Sequence, residues 1–216
     1  MRSADESDFG VTWLMSMFHE DWSHHGPTAA DAVGYHLWDE LDPESVLAVR
    51  RDARLLLCLP SETIEALWLA GTAVGPSFFS GGRTGVTSGT RWMETLTDLC
   101  DAWLTRRAQA AVPAAVPAAV PGEWDGVELA DAVLAEIGED RVVPEGVGRA
   151  LAECVRHCTP DLAFRLLLRA MAQLGTASGT PSGAALSPEN YERLAALGSA
   201  LHYGEFVVSE VRHLVK

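Results

Sequence analysis

Apolar positions recur at three- and four-residue steps along almost the whole chain. Phe9, Trp13, Leu14, Met17 and Phe18 form the first stripe, the spacing of an amphipathic helix. Thr28 then stands as an N-cap before Val33, Leu37, Trp38 and Leu41. Asp42-Pro43 supplies a cap and a proline at the first helical position, opening a third helix through Val46, Leu47, Val49 and Leu55-Leu56-Leu57. Ser61 begins a fourth with Ile64, Leu67 and Trp68, punctuated by Gly71 and Gly75. Residues 75–89, GPSFFSGGRTGVTSG, are too rich in glycine for helix; they predict a loop with room for a short extended pair at Phe78-Phe79 and Gly85-Val86-Thr87. Thr90 is expected to cap the next helix, which carries Trp92, Leu96, Leu99, Cys100, Trp103 and Leu104 on one side.

Proline interrupts this pattern at 111–122, AVPAAVPAAVPG, where Pro113, Pro117 and Pro121 hold an alanine-rich stretch as a semi-rigid spacer. Beyond it Asp125 and Glu128 have the spacing of a capping box before Leu129, Val133 and Ile137. Pro144 starts a helix through Val147, Leu151, Cys154, Val155 and Cys158, and Thr159-Pro160 and Ser187-Pro188 each pair a cap with a first-turn proline. Residues 175–185, GTASGTPSGAA, predict a surface loop, and the short apolar run from Phe206 to Leu214 suits a helix or a strand. The pattern predicts an all-α protein: two small helical bundles, or one elongated helical array, joined by a Pro/Ala-rich linker. The expected boundaries are a helical unit at 1–110, the linker at 111–122 and a second helical unit at 123–216.

Composition narrows the function. At 216 residues and 48% hydrophobic, the chain can bury one good-sized core or two small ones. Its net charge is −14, with 16 acids against 8 bases in residues 1–107 and 14 against 8 in residues 122–216, so the acidity is global. Such a field repels phosphates and anionic lipid, which argues against nucleic acid or membrane partners; it either keeps the chain soluble or favours a basic partner. No apolar run nears the ~20 residues of a membrane span, and the first six residues, Met1 to Glu6, lack the layout of a signal peptide. A cytoplasmic location is expected. Cys58, Cys100, Cys154 and Cys158 fall inside apolar helical patterns without a CxxC, as buried reduced thiols do.

FHEDWSHHG, residues 18–26, concentrates histidines and carboxylates. A zinc hydrolase needs histidines four apart on one helix face with glutamate between them, and Ser23 stands where the second histidine belongs. His24 lies ~140° around a helix from His19 at ~100° per residue. A non-helical set of His19, Asp21, His24 and His25 remains as a candidate metal-dependent hydrolase centre, against plain surface histidines. CVRHC, residues 154–158, has two thiols four apart and His157, but no second ligand pair; two small apolar residues on a buried face account for it as well. There is no G-x-S-x-G elbow, and GGRTG lacks the lysine and spacing of a phosphate loop. No cofactor is expected. Of seven tryptophans, Trp13, Trp68, Trp92 and Trp103 lie on apolar stripes as core residues do, whereas Trp22, Trp38 and Trp124 sit at element ends beside acids. An aromatic flanked by carboxylates suits an anchor and rim for a basic protein surface, and core packing is the competing use.

Phe18-His19-Glu20-Asp21-Trp22 near the N-terminus, followed after the glycine loop by a helix with Trp92-Met93, resembles the contact-dependent growth inhibition (CdiI-type) immunity proteins, over about residues 9–105. Phe18, His19, Asp21 and Trp22 match the first motif, Glu20 takes its polar slot, and Trp92 with Met93 matches the second loosely. His24-His25 and the long 75–89 loop depart from the pattern. The resemblance implies a non-enzymatic immunity protein that binds and blocks a toxin domain, many of which are nucleases with basic active sites. The expected toxin-binding residues are Glu20, Asp21, Asp39, Glu40, Asp42 and Glu44. A general helical interaction domain is the remaining alternative.

Overall fold

The computed structural model of the protein describes residues 9–110, 125–139, 143–177, 185–203 and 205–216. The Pro/Ala spacer, Trp124, the first eight residues and most of the 175–185 segment lie outside the described residues. The fold is all-α. The described residues form α1 (Gly10–Ser16), α2 (Ala29–His36), α3 (Pro43–Leu56), α4 (Ser61–Gly71), α5 (Gly89–Ala110), α6 (Ala130–Glu139), α7 (Glu145–His157), α8 (Pro160–Ala177), α9 (Pro188–Ala200) and α10 (Glu205–Ser209). Short 3-10 turns intervene at Trp22–His24, Pro76–Ser80, Val127–Leu129 and Arg212–Leu214. The C-terminal run is therefore helical, tied back by an isolated parallel bridge between Leu186 and Val215.

Helix starts follow local chemistry, though not always through the expected residue. Thr28 forms a full capping box: its Oγ1 accepts from the Asp31 amide at 3.2 Å, and Asp31 Oδ2 accepts from the Thr28 amide at 3.1 Å. Thr159 and Ser187 cap α8 and α9 through the amides of Leu162 and Asn190. Asp42 holds the cap position of α3 but its carboxylate makes no cap bond. Thr90 lies inside the first turn of α5, which begins at Gly89, and its amide donates to Ser61 Oγ. Pro144 is the residue before α7 instead of its first. The Asp125–Glu128 capping box does not form, because the Asp125 carboxylate pairs with Arg51 and the chain turns through Gly126 at φ +68°.

The extended pair expected in the glycine loop is absent. Phe78 and Phe79 lie in the Pro76–Ser80 turn because the Phe78 ring is drawn into the core, and the loop closes on itself through Gly81 N–H to Val86 O at 2.7 Å. Of the cysteines expected to be buried, Cys58 is exposed and Cys158 only partly covered.

The segments on either side of the spacer share one apolar core. α3 packs on α1 and α5, while α4 packs on both α7 and α8 and so joins the two segments. α8 is apolar around nearly its whole circumference, with every residue from Leu162 to Leu168 buried, as suits a central helix. Arg165 interrupts that run. Its guanidinium gives Asp52 two bonds, Nη1 to Oδ2 at 2.7 Å and Nη2 to Oδ1 at 3.1 Å, and reaches Asp161 Oδ2 from Nη2 at 2.9 Å. Nη1 also donates to the Phe9 carbonyl at 3.1 Å, and the group lies 4.3 Å from the centre of the Phe9 ring. Asp52 Oδ2 accepts the Val11 amide at 3.1 Å, and Tyr203 donates to Asp161 Oδ1 at 2.8 Å. Burial disfavours the charged guanidinium, but Asp161 and Asp52 more than offset this and hold Arg165 well above the ordinary arginine value. Gly10 is required here: its φ is +65°, and a Cβ would lie 2.0 Å from Asp52 Oδ2.

Candidate functional site

α1 ends at Ser16, and the next residues leave it with Phe18 turned inward. The Phe18 ring meets Trp68 at 5.2 Å, Trp22 and Phe78 at 5.6 Å, and Trp92 at 5.8 Å. Its carbonyl accepts the Ala73 amide at 3.0 Å. Phe18 and Trp92, which carry the two motifs of the sequence resemblance, thus pack together, with Met93 fully buried beside them. FHEDW is a turn pinned by two aromatic rings that leaves His19, Glu20 and Asp21 exposed.

The histidines assemble differently from the expected set. The Asp21 amide donates to His19 Nδ1 at 3.2 Å. His19 and His25 lie 6.4 Å apart; His25 stacks on Tyr35 at 4.7 Å and meets His36 edge-on at 4.8 Å. His24 is exposed and its ring takes no part. His36, from the last turn of α2, replaces it, with Nε2 buried and lacking a hydrogen-bond partner. Burial, then the neighbouring His25 and His19, lower its pKa from the ordinary histidine value. Among the described residues no group of three or more His, Cys, Asp or Glu is placed to hold a metal ion, and His19, Asp21, His24 and His25 form no such set.

CVRHC lies at the end of α7. Cys154 is fully buried, and its thiol is pushed well up, first by its hydrogen bond to Cys158 and then by burial. Accepting that bond lowers the Cys158 pKa, against the opposing effect of burial; His157 points to solvent.

The expected contact carboxylates fall in two places. Asp39, Glu40, Asp42 and Glu44 are all exposed at the junction of α2 and α3, whereas Glu20 and Asp21 lie on the FHEDW turn. Trp38 stands at the edge of the first group, 47% exposed, and Tyr35, 62% exposed, precedes it by one helical turn. The junction backbone is held from below: the Trp103 indole donates to the Trp38 carbonyl at 3.1 Å, and Arg107 to the Asp39 carbonyl at 3.0 Å. Leu37 is buried and Leu41 packs on the core, so the side chains between them project outward. The ring contacts from His19 through His25 to Tyr35 connect the two places. No family model, curated protein or solved structure matches the chain.

Beside the turn, His19, Glu20, Trp22, Ser77, Phe78 and Thr84 line an open depression of ≈ 230 Å³. Thr84 Oγ1 is fully engaged, donating to the Phe78 carbonyl at 2.6 Å and accepting the Val86 amide at 3.2 Å. Tyr35, His36 and this depression escaped the sequence reading. Tyr35 carried a usable signal, a large ring one helical turn from Trp38, but the depression is made by residues from three separated segments.

Proposed function

We propose that this protein neutralises a basic toxin domain by stoichiometric binding, as a cytoplasmic immunity protein. The observation that carries the reading is the exposed Trp38 at the edge of exposed Asp39, Glu40, Asp42 and Glu44, on a chain of net charge −14. A solvent-facing tryptophan on a braced junction supplies an anchor that costs little to order, and the carboxylates beside it supply steering and register toward cationic surface. The resemblance of residues 9–105 to CdiI-type immunity proteins adds to this reading. If the toxin is a nuclease, its phosphate-binding groove is the natural mate, and an acidic face would occupy it in place of substrate.

The reading expects a neighbouring gene for a large secreted protein with a variable C-terminal domain, and calorimetric titration with that domain tests it. One-to-one binding is expected, with Trp38→Ala weakening it at least ~10-fold, the loss typical of a central aromatic anchor. Association should slow as salt rises. No binding, or binding indifferent to both Trp38→Ala and salt, refutes the proposal.

A further inference from the structure

We infer that the depression between the FHEDW turn and the glycine loop is a receptor for a single arginine side chain of the basic partner, with Glu20 and Trp22 as its recognition groups. At ≈ 230 Å³ it falls below the ~300–1,000 Å³ of pockets that enclose cofactors or drug-sized ligands, which matches one long side chain better than a free metabolite. Its walls are chemically divided. Half-buried Trp22 gives aromatic surface, backed by the buried Phe78 ring 6.3 Å away at 70°, and Glu20 gives an exposed carboxylate at the rim. A guanidinium can lie against the indole while donating to the carboxylate, and its propyl stem can cover the apolar wall. Its planar fork is also less strongly hydrated than an ammonium, which favours arginine over lysine in a half-enclosed site.

The site is built before any ligand arrives. Trp22 is braced by Phe18 at 5.6 Å, and the Phe78 turn is fixed by the hydrogen bond its N–H donates to the Gly75 carbonyl at 2.9 Å and by Thr84. The ring contacts through His25 to Tyr35 place it on the same connected surface as the Trp38 ridge, so one partner can engage both. The inference rests on the proposed binding of a basic domain, and it adds a second anchor point and the side chain that fills it.

The test uses the full chain and a capped tripeptide, glycyl-arginyl-glycine amide, titrated while the Trp22 indole N–H and the Ser77 and Thr84 amides are followed by NMR. Saturable shifts at these groups are expected, with the citrulline analogue, equal in shape but neutral, binding at least ~5-fold more weakly. Glu20→Gln should weaken arginine binding by a similar factor. Gly75→Leu, which adds bulk at a lining position where a Cβ meets nothing within 4 Å, should weaken it without disturbing the fold. Absence of saturable shifts, equal binding of the citrulline peptide, or indifference to both substitutions overturns the assignment. If the toxin domain binds wild type and Glu20→Gln/Gly75→Leu equally well while Trp38→Ala weakens it, the pocket fails and the immunity reading stands. If the peptide titrates the pocket but the domain does not bind, the reverse holds.

Discussion

Replacing Arg165 with methionine leaves two carboxylates, Asp52 and Asp161, with side chains 1% and 3% exposed and without their counter-charge. The methionine is close in length, so the packing volume is roughly kept and the electrostatic loss dominates. Two hydrogen bonds to Asp52, two to Asp161 and one to the Phe9 carbonyl disappear together. Removing one partner of a buried ion pair costs about 3–5 kcal/mol, a large share of the ~5–15 kcal/mol that stabilises a typical fold. For a protein of this length that corresponds to a fall in Tm of roughly 6–20 °C. The loss should appear as one cooperative transition in both calorimetry and urea unfolding, because the group ties Phe9 and Asp52 on one side of the spacer to Asp161 on the other. The double variant Asp52→Asn/Arg165→Met should be less damaged than the sum of its two single variants, since it leaves one fewer orphaned charge. If Arg165→Met lies within ~1 kcal/mol of wild type, the network does not hold the two segments together.

Gly10→Ala should cost more than ~1 kcal/mol in urea unfolding, because the position needs positive φ and the new methyl would displace Asp52 Oδ2; a change within ~0.5 kcal/mol would contradict that geometry. His36 has a lowered pKa in the folded state, so the unfolded chain takes up its proton first as pH falls. Its stabilising contribution is full above the ordinary histidine value of 6.5 and is lost as pH drops from there through the lowered folded value. Urea midpoints of His36→Gln should therefore fall less than those of wild type between pH 7.5 and 5.5, and parallel curves would remove His36 from that dependence. Native-state alkylation should label exposed Cys58 readily, while Cys100, buried and with its thiol pushed up to about 12, should react only on unfolding; equal rates at the two would refute the packing of α5.

Helix content was legible because it depends on local signals that a single segment carries. The Thr28, Thr159 and Ser187 caps act within four residues, and the structure places them as the sequence pattern implies. Asp125 failed as a cap because Arg51, 74 residues away, offers its carboxylate a charged partner. The Phe78-Phe79 strand failed for a similar reason: the ring cluster of Phe18, Trp68 and Trp92 captures Phe78 and bends the loop around it. Arg165 was the missed clue in plain view, one cation in a run of apolar positions four residues after Asp161. Its second carboxylate, Asp52, comes from the other side of the spacer and has no sequence signature. The exposed ridge at Asp39, Glu40, Asp42 and Glu44 was readable as charge, but the exposure of Trp38 and Tyr35 depends on how Leu37 and Leu41 seat the junction.

Protection of living cells tests the central claim most directly. The toxin domain that the reading expects from a neighbouring gene is induced together with either the wild-type protein or Trp38→Ala/Glu40→Lys/Glu44→Lys, and surviving colonies are counted at matched protein levels. Wild type should restore growth and the ridge variant, though folded, should not. Survival with both would move the binding surface elsewhere, and death with both would contradict the immunity role itself.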